Sequence, residues 1–177
     1  FRPAKVLLDP CARAITGWSI YQREAATGAS PNTHCCLKGL VCERDRFDFD
    51  AHPRPRHSWQ QTVIYELHIG GFTQRGDSGV APDQQGSLLG VIDKIPYLKQ
   101  LGVTTIELLP VQAFDPQDAP PGRDNVWGYS PLSWFAPHQG YVGGDDPMKA
   151  RDQMRDLVAA CHDADLEVLL DVVYNHT

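Results

Sequence analysis

Beyond residue 59, two kinds of hydrophobic segment alternate along the chain. Three segments are short, apolar and rich in β-branched residues, a composition typical of strands. They are residues 62–69, 103–109 and 166–173. Between them, apolar residues return at helical spacing in 87–101, where Pro96 predicts a kink or a break, and in the segment that begins at Pro147. The predicted order is therefore strand, helix, strand, helix, strand.

The predicted strands are apolar on both faces, which favours an α/β fold with a parallel sheet covered by helices. The connections that follow the first two strands are long, and the second spans residues 111–146. Proteins of this class place their sites in such segments, outside the carboxyl ends of the strands. We therefore expect the functional residues at that end of the sheet.

Residues 1–58 show a different pattern. Their apolar pieces are brief and are separated by Pro, Gly, Asn and Asp, which predicts short strands and loops. The Pro-rich and charged stretch 50–58 indicates a domain boundary. The whole chain has 177 residues, which is close to one domain at roughly 150 residues per domain.

Composition excludes several classes of protein. With 42% hydrophobic and 21% charged residues, the chain is not a disordered tail, a collagen-like fibre or a coiled coil. It has no apolar run long enough to cross a membrane, and its first residues lack the apolar region of a secretory signal. The net charge of −6 gives no overall attraction to nucleic acid or to anionic lipid, so we expect neither as a partner.

Five cysteines are spread irregularly along the chain. They are Cys11, Cys35, Cys36, Cys42 and Cys161. The group around Cys35 could be taken for metal ligands, but paired C-x-x-C knuckles are missing, which favours free thiols over a zinc site. Free thiols together with the missing signal predict a cytoplasmic protein.

The long connections raise two hypotheses for the ligand, a nucleotide and a sugar. The glycine pair 70–71 is not followed by a dinucleotide or P-loop pattern, and the pair 143–144 precedes two aspartates that would repel phosphate, so nucleotide binding is disfavoured. The segment 111–146 instead concentrates aromatic residues, among them Trp127 and Tyr129. Such rings either stack on the apolar face of a sugar or pack the loop internally, and composition alone does not decide between these uses.

The third predicted strand ends in the string Asp-Val-Val-Tyr-Asn-His-Thr over residues 171–177, which resembles the first conserved region of glycoside hydrolase family 13, the α-amylase superfamily. The resemblance continues upstream. Residues 63–73 and 102–111 are similar to the first two barrel strands of that family, and 127–131 is similar to the segment that presents a sugar-stacking tyrosine.

Within the superfamily the chain most resembles the isoamylase-type glycogen debranching enzymes. The strings that carry this likeness are Tyr-Glu-Leu-His-Ile-Gly-Gly-Phe-Thr at 65–73, Glu-Leu-Leu-Pro-Val-Gln-Ala-Phe-Asp at 107–115 and Tyr-Ser-Pro-Leu-Ser-Trp-Phe-Ala-Pro at 129–137. Upstream, residues 5–15 resemble the tail of an N-terminal β-sandwich, with Cys11 in place of the more usual tyrosine.

The resemblance implies a partial (β/α)₈ TIM barrel. Residues 1–58 would be the tail of the β-sandwich plus a linker, and 59–177 would be the first part of the catalytic barrel, ending after its third strand. It also implies hydrolysis of α-1,6 branch linkages in glycogen by a retaining mechanism. The alternatives are a branching transferase, a trehalose-releasing hydrolase or a non-catalytic glucan-binding remnant.

The family takes its nucleophile Asp and its acid Glu from later strands, so no catalytic residue is expected here and the fragment alone is expected to be inactive. The resemblance assigns substrate contacts to Tyr129, which would stack on the sugar, and to His176, which would bind its hydroxyls. Asp171 and Trp127 would support the site. Asn175 occupies the position that binds calcium in many α-amylases, an ion that debranching relatives often lack, and no organic cofactor is implied.

Overall fold

A computed structural model describes residues 3–43, 47–144 and 146–174. In the N-terminal part, β1 (Ile15–Thr16) and β2 (Lys38–Gly39) form an antiparallel pair. The helix α1 (Arg23–Thr27) lies between them in the chain. The short strands agree with the sequence pattern, whereas this one-turn helix was not predicted.

The main element is a parallel sheet whose strands, in their order across it, are β3 (Ile64–Leu67), β4 (Thr105–Leu108) and β5 (Glu167–Leu170). The parallel arrangement confirms the sequence prediction. Each strand is shorter than its apolar segment, because the backbone turns away from the sheet soon after the last paired residue. Asp171, predicted within the third strand, instead follows β5, although its amide still donates to the Leu108 carbonyl at 2.9 Å.

The predicted helix over 87–101 is divided into α3 (Leu88–Asp93) and α4 (Ile95–Leu101), after the short α2 (Ile69–Phe72). Pro96 lies in the first turn of α4, where a missing amide costs no helical hydrogen bond, so the break falls just before it. Gly102 ends α4 with a φ of +87°, which glycine adopts without strain. The last helix is α5 (Lys149–Asp163), close to the predicted start at Pro147.

The two faces of the sheet have different surroundings. One face packs against α3, α4 and α5 through buried side chains, which are Leu67, Val91, Leu98, Ile106, Leu108, Leu157 and Leu166. The other face departs from the apolar pattern that the sequence suggested. There Glu66 lies beside Glu107 in the register, Glu107 lies beside Leu169, and Ile64 is about half exposed.

The long segment after β4 folds back on itself and on the N-terminal residues. The Ala113 amide donates to the Ala136 carbonyl at 2.8 Å, and the Trp134 amide donates to the Pro10 carbonyl at 3.0 Å. A second small core joins the two regions through Ala12, Ile15, Leu37, Ala113 and Ala136. Among the described residues, no helix combines the length and the hydrophobicity that crossing a bilayer would need.

Candidate functional site

Tyr129 and Asp171 meet at the carboxyl end of the sheet, although 42 positions separate them in the chain. The Tyr129 hydroxyl donates a hydrogen bond to Asp171 Oδ2 at 2.8 Å. This bond, with smaller contributions from burial and from the negative charges of Asp171, Glu66 and Glu107, raises the pKa of Tyr129. The phenol is therefore a neutral donor, and 41% of the residue remains exposed. A held ring with an open surface suits stacking against a sugar.

Gly128 separates the two aromatic residues that the sequence singles out. It has a φ of +80°, and a Cβ there would lie 3.0 Å from the Phe114 ring and 3.2 Å from Pro110. A side chain at this position would force the turn open. After the turn, the Tyr129 hydroxyl is hydrogen-bonded to Asp171. Before the turn, the exposed Trp127 ring packs edge-on to His68, with 6.0 Å between the ring centroids.

His68 follows β3 directly and caps α2. Its Nδ1 accepts a hydrogen bond from the Gly71 amide at 2.9 Å, so this nitrogen carries no proton. The other nitrogen, Nε2, lies 2.7 Å from the Val126 carbonyl and 3.2 Å from the Tyr141 hydroxyl. The hydrogen-bond pattern thus assigns the neutral tautomer with its proton on Nε2, donating to Val126.

A cavity of about 580 Å³ opens beside this histidine. Its walls include Trp127, Asn125, Tyr141 and His138. The His138 ring stacks on Phe114 with 3.8 Å between centroids, and its buried Nδ1 has no hydrogen-bond partner among the described residues. Burial, and secondarily the nearby His68, lowers the pKa of His138 to about 4, so its imidazole is neutral near pH 7. Burial alone raises the pKa of Tyr141 to about 12.

Asp115 ties the same loop to the N-terminal segment. Its carboxylate, which is 1% exposed, accepts hydrogen bonds from the Tyr21 hydroxyl and from Arg23 Nη1, both at 2.7 Å. The bond to Asp115 raises the pKa of Arg23, and burial followed by this same carboxylate raises the pKa of Tyr21. The Asn125 side chain donates to the Asp115 carbonyl at 3.3 Å, which connects this network to the turn before Trp127.

Of the predicted site residues, the structure brings Tyr129 and Asp171 together, while Trp127 lies two positions before Tyr129 in the same loop and contacts His68 instead. Asn175 and His176 lie outside the described residues, so the predicted convergence of Tyr129 with His176 stays a prediction. Sequence reasoning did not single out His68 or Asp115. His68 lies near the carboxyl end of the predicted strand 62–69, and Asp115 lies in the long segment that follows the predicted strand 103–109. A polar residue in such a position is the signal that could have found them.

Metal binding receives no support from the described part of the chain. Within it, no three His, Cys, Asp or Glu side chains are close enough together to hold an ion. Asn175, the position suggested for calcium, is outside the described ranges. Of the five cysteines, Cys35, Cys36 and Cys161 are buried, and burial raises the pKa of Cys161 to about 12, which keeps it an unreactive thiol.

Comparisons with known proteins show which family the chain resembles. Residues 68–177 match the family model for the alpha amylase catalytic domain. The chain is 40% identical over 190 aligned residues, covering its whole length, to a protein named glycogen debranching enzyme from Pectobacterium atrosepticum. Among solved structures, it is similar to pullulanase type I from Bacillus subtilis complexed with maltose (29% identity, TM-score 0.72) and to the Group B Streptococcus pullulanase SAP (28% identity, TM-score 0.75).

These matches cover the chain more fully than they cover the relatives. The two pullulanase structures align with 96% of this chain and with 23% of their own, and the chain spans 28% of the Pectobacterium protein. The family match takes in more than half of the chain and includes β4, β5 and the Tyr129 loop. The chain belongs to the alpha-amylase family of proteins.

Proposed function

We propose that the intact protein carrying this chain hydrolyses α-1,6 branch linkages in glycogen or a related α-glucan. The observation that carries the proposal is the exposed Tyr129 ring, fastened through its hydroxyl to Asp171 at the carboxyl end of the sheet. The 40% identity to an enzyme named for glycogen debranching, and the likeness to a pullulanase solved with maltose, support the same substrate class.

In this proposal, the parallel sheet supplies the first three strands of a (β/α)₈ barrel. Residues 1–58 contribute the tail of an N-terminal β-sandwich and a linker, and residues 59–177 the first part of the barrel. The parallel order of β3, β4 and β5, with helices on one face, supports this assignment. The Asp nucleophile and the Glu acid of a retaining mechanism would come from later strands, so the 177-residue chain alone would be inactive.

The chain's own part of the reaction would be to bind and orient the glucan. Because the phenol hydroxyl is bonded to Asp171, the Tyr129 ring keeps one orientation, and its free surface can stack on the sugar whose bond is cut. His176 would bind that sugar's hydroxyls, and Trp127 would extend the apolar wall. Glu66 and Glu107 have no catalytic role in the proposed reaction.

No organic cofactor enters the proposed hydrolysis, because general acid and nucleophilic catalysis by two carboxyl groups suffices. We also propose a cytoplasmic location, where glycogen is stored and thiols stay reduced.

The test is a product analysis with the intact protein on glycogen. Debranching releases free linear chains. A branching transferase would form new branches without releasing chains. A trehalose-releasing hydrolase would leave glycogen uncut and would release trehalose only from glucan chains that end in a trehalose unit. A binding remnant would retain glycogen without turnover. Any of these last three results would overturn the proposal.

The substitution Tyr129→Ala tests the site itself. Losing a stacking ring should lower kcat/KM for glycogen roughly 10- to 100-fold, the equivalent of about 1.5–3 kcal/mol of buried aromatic surface. Tyr97→Ala is the matched control, because Tyr97 is similarly exposed at 48% but lies on α4, away from the loop. Equal activity of the two variants would contradict the role of Tyr129.

A further inference from the structure

The loop that carries Trp127 and Tyr129 is attached to both strands that flank β4. On one side, the Tyr129 hydroxyl is bonded to Asp171 after β5. On the other side, the His68 imidazole after β3 is bonded to the Val126 carbonyl, at 2.7 Å. Val126 precedes Trp127 directly and Tyr129 by three positions. The turn between the two attachments is therefore held across the full width of the sheet.

The bond from His68 depends on a second bond on the same ring. Nδ1 accepts the Gly71 amide at 2.9 Å, which fixes the ring plane against the first turn of α2 and leaves the proton on Nε2. That proton points at a carbonyl, which cannot donate in return. The ring thus acts as a rigid connector, with an acceptor facing the first turn of α2 and a donor facing the loop. The Tyr141 hydroxyl, 3.2 Å from Nε2, adds a further contact.

We infer that His68 is a positioning residue for glucan binding, which holds the turn 124–130 so that Trp127 and Tyr129 are in place before the substrate arrives. It acts through the Val126 carbonyl. The inference rests on the proposed function for what the turn binds. Preordering matters here, because a loop that must be ordered by its ligand loses part of the binding free energy in doing so.

Two substitutions separate the two bonds of the ring. In His68→Asn, the side-chain oxygen takes the place of Nδ1 and can still cap α2 by accepting the Gly71 amide, but it is too short to reach Val126. In His68→Gln, the amide nitrogen takes the place of Nε2 and can donate to the Val126 carbonyl, while the cap is lost. A residue that only caps α2 would tolerate Asn better than Gln, and a residue that positions the loop would tolerate Gln better than Asn.

The first measurement is kinetic and uses the intact protein with glycogen as substrate. For His68→Asn we expect kcat/KM to fall on the order of tenfold, the effect of one lost hydrogen bond of about 1–1.5 kcal/mol. Most of the change should appear in KM, because the ring of Tyr129 contacts the sugar in the ground state and the transition state alike. His68→Gln should stay within about threefold of the wild type on the same argument. His34→Asn, at an exposed histidine in the N-terminal part, is the matched control.

The second measurement is amide hydrogen exchange in a peptide that covers 124–130, again in the intact protein. Exchange there should be faster in His68→Asn than in His68→Gln or the wild type, because only the Asn variant loses the attachment to Val126. Thermal unfolding of both variants is the control that tests whether each is folded. The inference is overturned if Asn is tolerated better than Gln in exchange and kinetics, or if neither variant differs from the wild type.

The two proposals fail in distinguishable ways. If the wild-type protein releases no chains from glycogen, the proposed function is wrong, and the exchange comparison still decides whether His68 holds the turn. If the wild type debranches glycogen but His68→Asn matches it in kinetics and exchange, only the inference about His68 is wrong.

Discussion

The two ends of the parallel sheet are held together in different ways. At the amino end, each of two polar pairs joins an exposed side chain to one that is mostly buried. Arg54 Nε lies 3.4 Å from Glu167, and His57 Nε2 lies 3.5 Å from Asp165. A cavity of about 740 Å³ opens beside them, and the exposed Trp59 forms part of its wall.

At the carboxyl end, the hydrogen bonds are shorter, and those in the segment after β4 include bonds to the buried carboxylate of Asp115. Asp171, His68 and Asp115 each hold the long segment after β4, at distances of 2.8, 2.7 and 2.7 Å. Exposed ion pairs contribute little to stability, whereas breaking a buried charged network leaves an uncompensated group. This protein therefore has its short directional bonds at the end of the sheet where a loop must be positioned. Substitutions should therefore have large effects at the carboxyl end and small ones at the amino end.

The largest effect is expected for Asp115→Ala. The substitution removes the buried acceptor of Tyr21 and Arg23, and should lower the free energy of unfolding by about 3–5 kcal/mol, measured by denaturant titration of the intact protein. Asp118→Ala is a matched control, because Asp118 pairs with the same guanidinium at 2.7 Å but its side chain is 37% exposed. The control should lose less than about 1 kcal/mol. Equal losses would contradict the contrast between buried and exposed bonds.

A pH-dependent effect of intermediate size is expected from His138. Its pKa is about 4 in the folded protein and 6.5 ordinarily, so the unfolded chain binds more protons between these values. Stability should consequently decrease as the pH falls from about 6.5 to about 4, by about 3 kcal/mol in total from this group. His138→Phe keeps a ring against Phe114 without the titration, and should remove that part of the slope when unfolding is measured across this range. An unchanged slope would contradict the prediction.

The smallest effect is expected at the amino end. Arg54→Ala breaks the pair with Glu167, in which the arginine side chain is 65% exposed, the glutamate side chain is 12% exposed, and the distance of 3.4 Å is longer than that of the bonds to Asp115. The free energy of unfolding should change by less than about 1 kcal/mol, and kcat/KM for glycogen should stay the same. A loss as large as that of Asp115→Ala would show that the amino end is not held as weakly as its geometry indicates.

Much of the fold could be predicted from the local sequence. Hydrophobic periodicity predicted the parallel strands and the helices, and Pro96 predicted the break between α3 and α4. The motif around Tyr129 placed the candidate site in the loop after β4. The limits of the strands were less accurate, because an apolar residue such as Ile69 is equally suited to the helix that follows.

The sequence by itself determined which segments are apolar, where they turn and which aromatic residues stand in the long loop, since propensity and periodicity act over a few residues. The tertiary structure alone decided the partners of those residues. Tyr129 meets Asp171 across 42 positions, His68 meets Val126 across 58, and Tyr21 meets Asp115 across 94. Such bonds depend on the order of the strands and on how the loop folds back, which no spacing along the chain specifies.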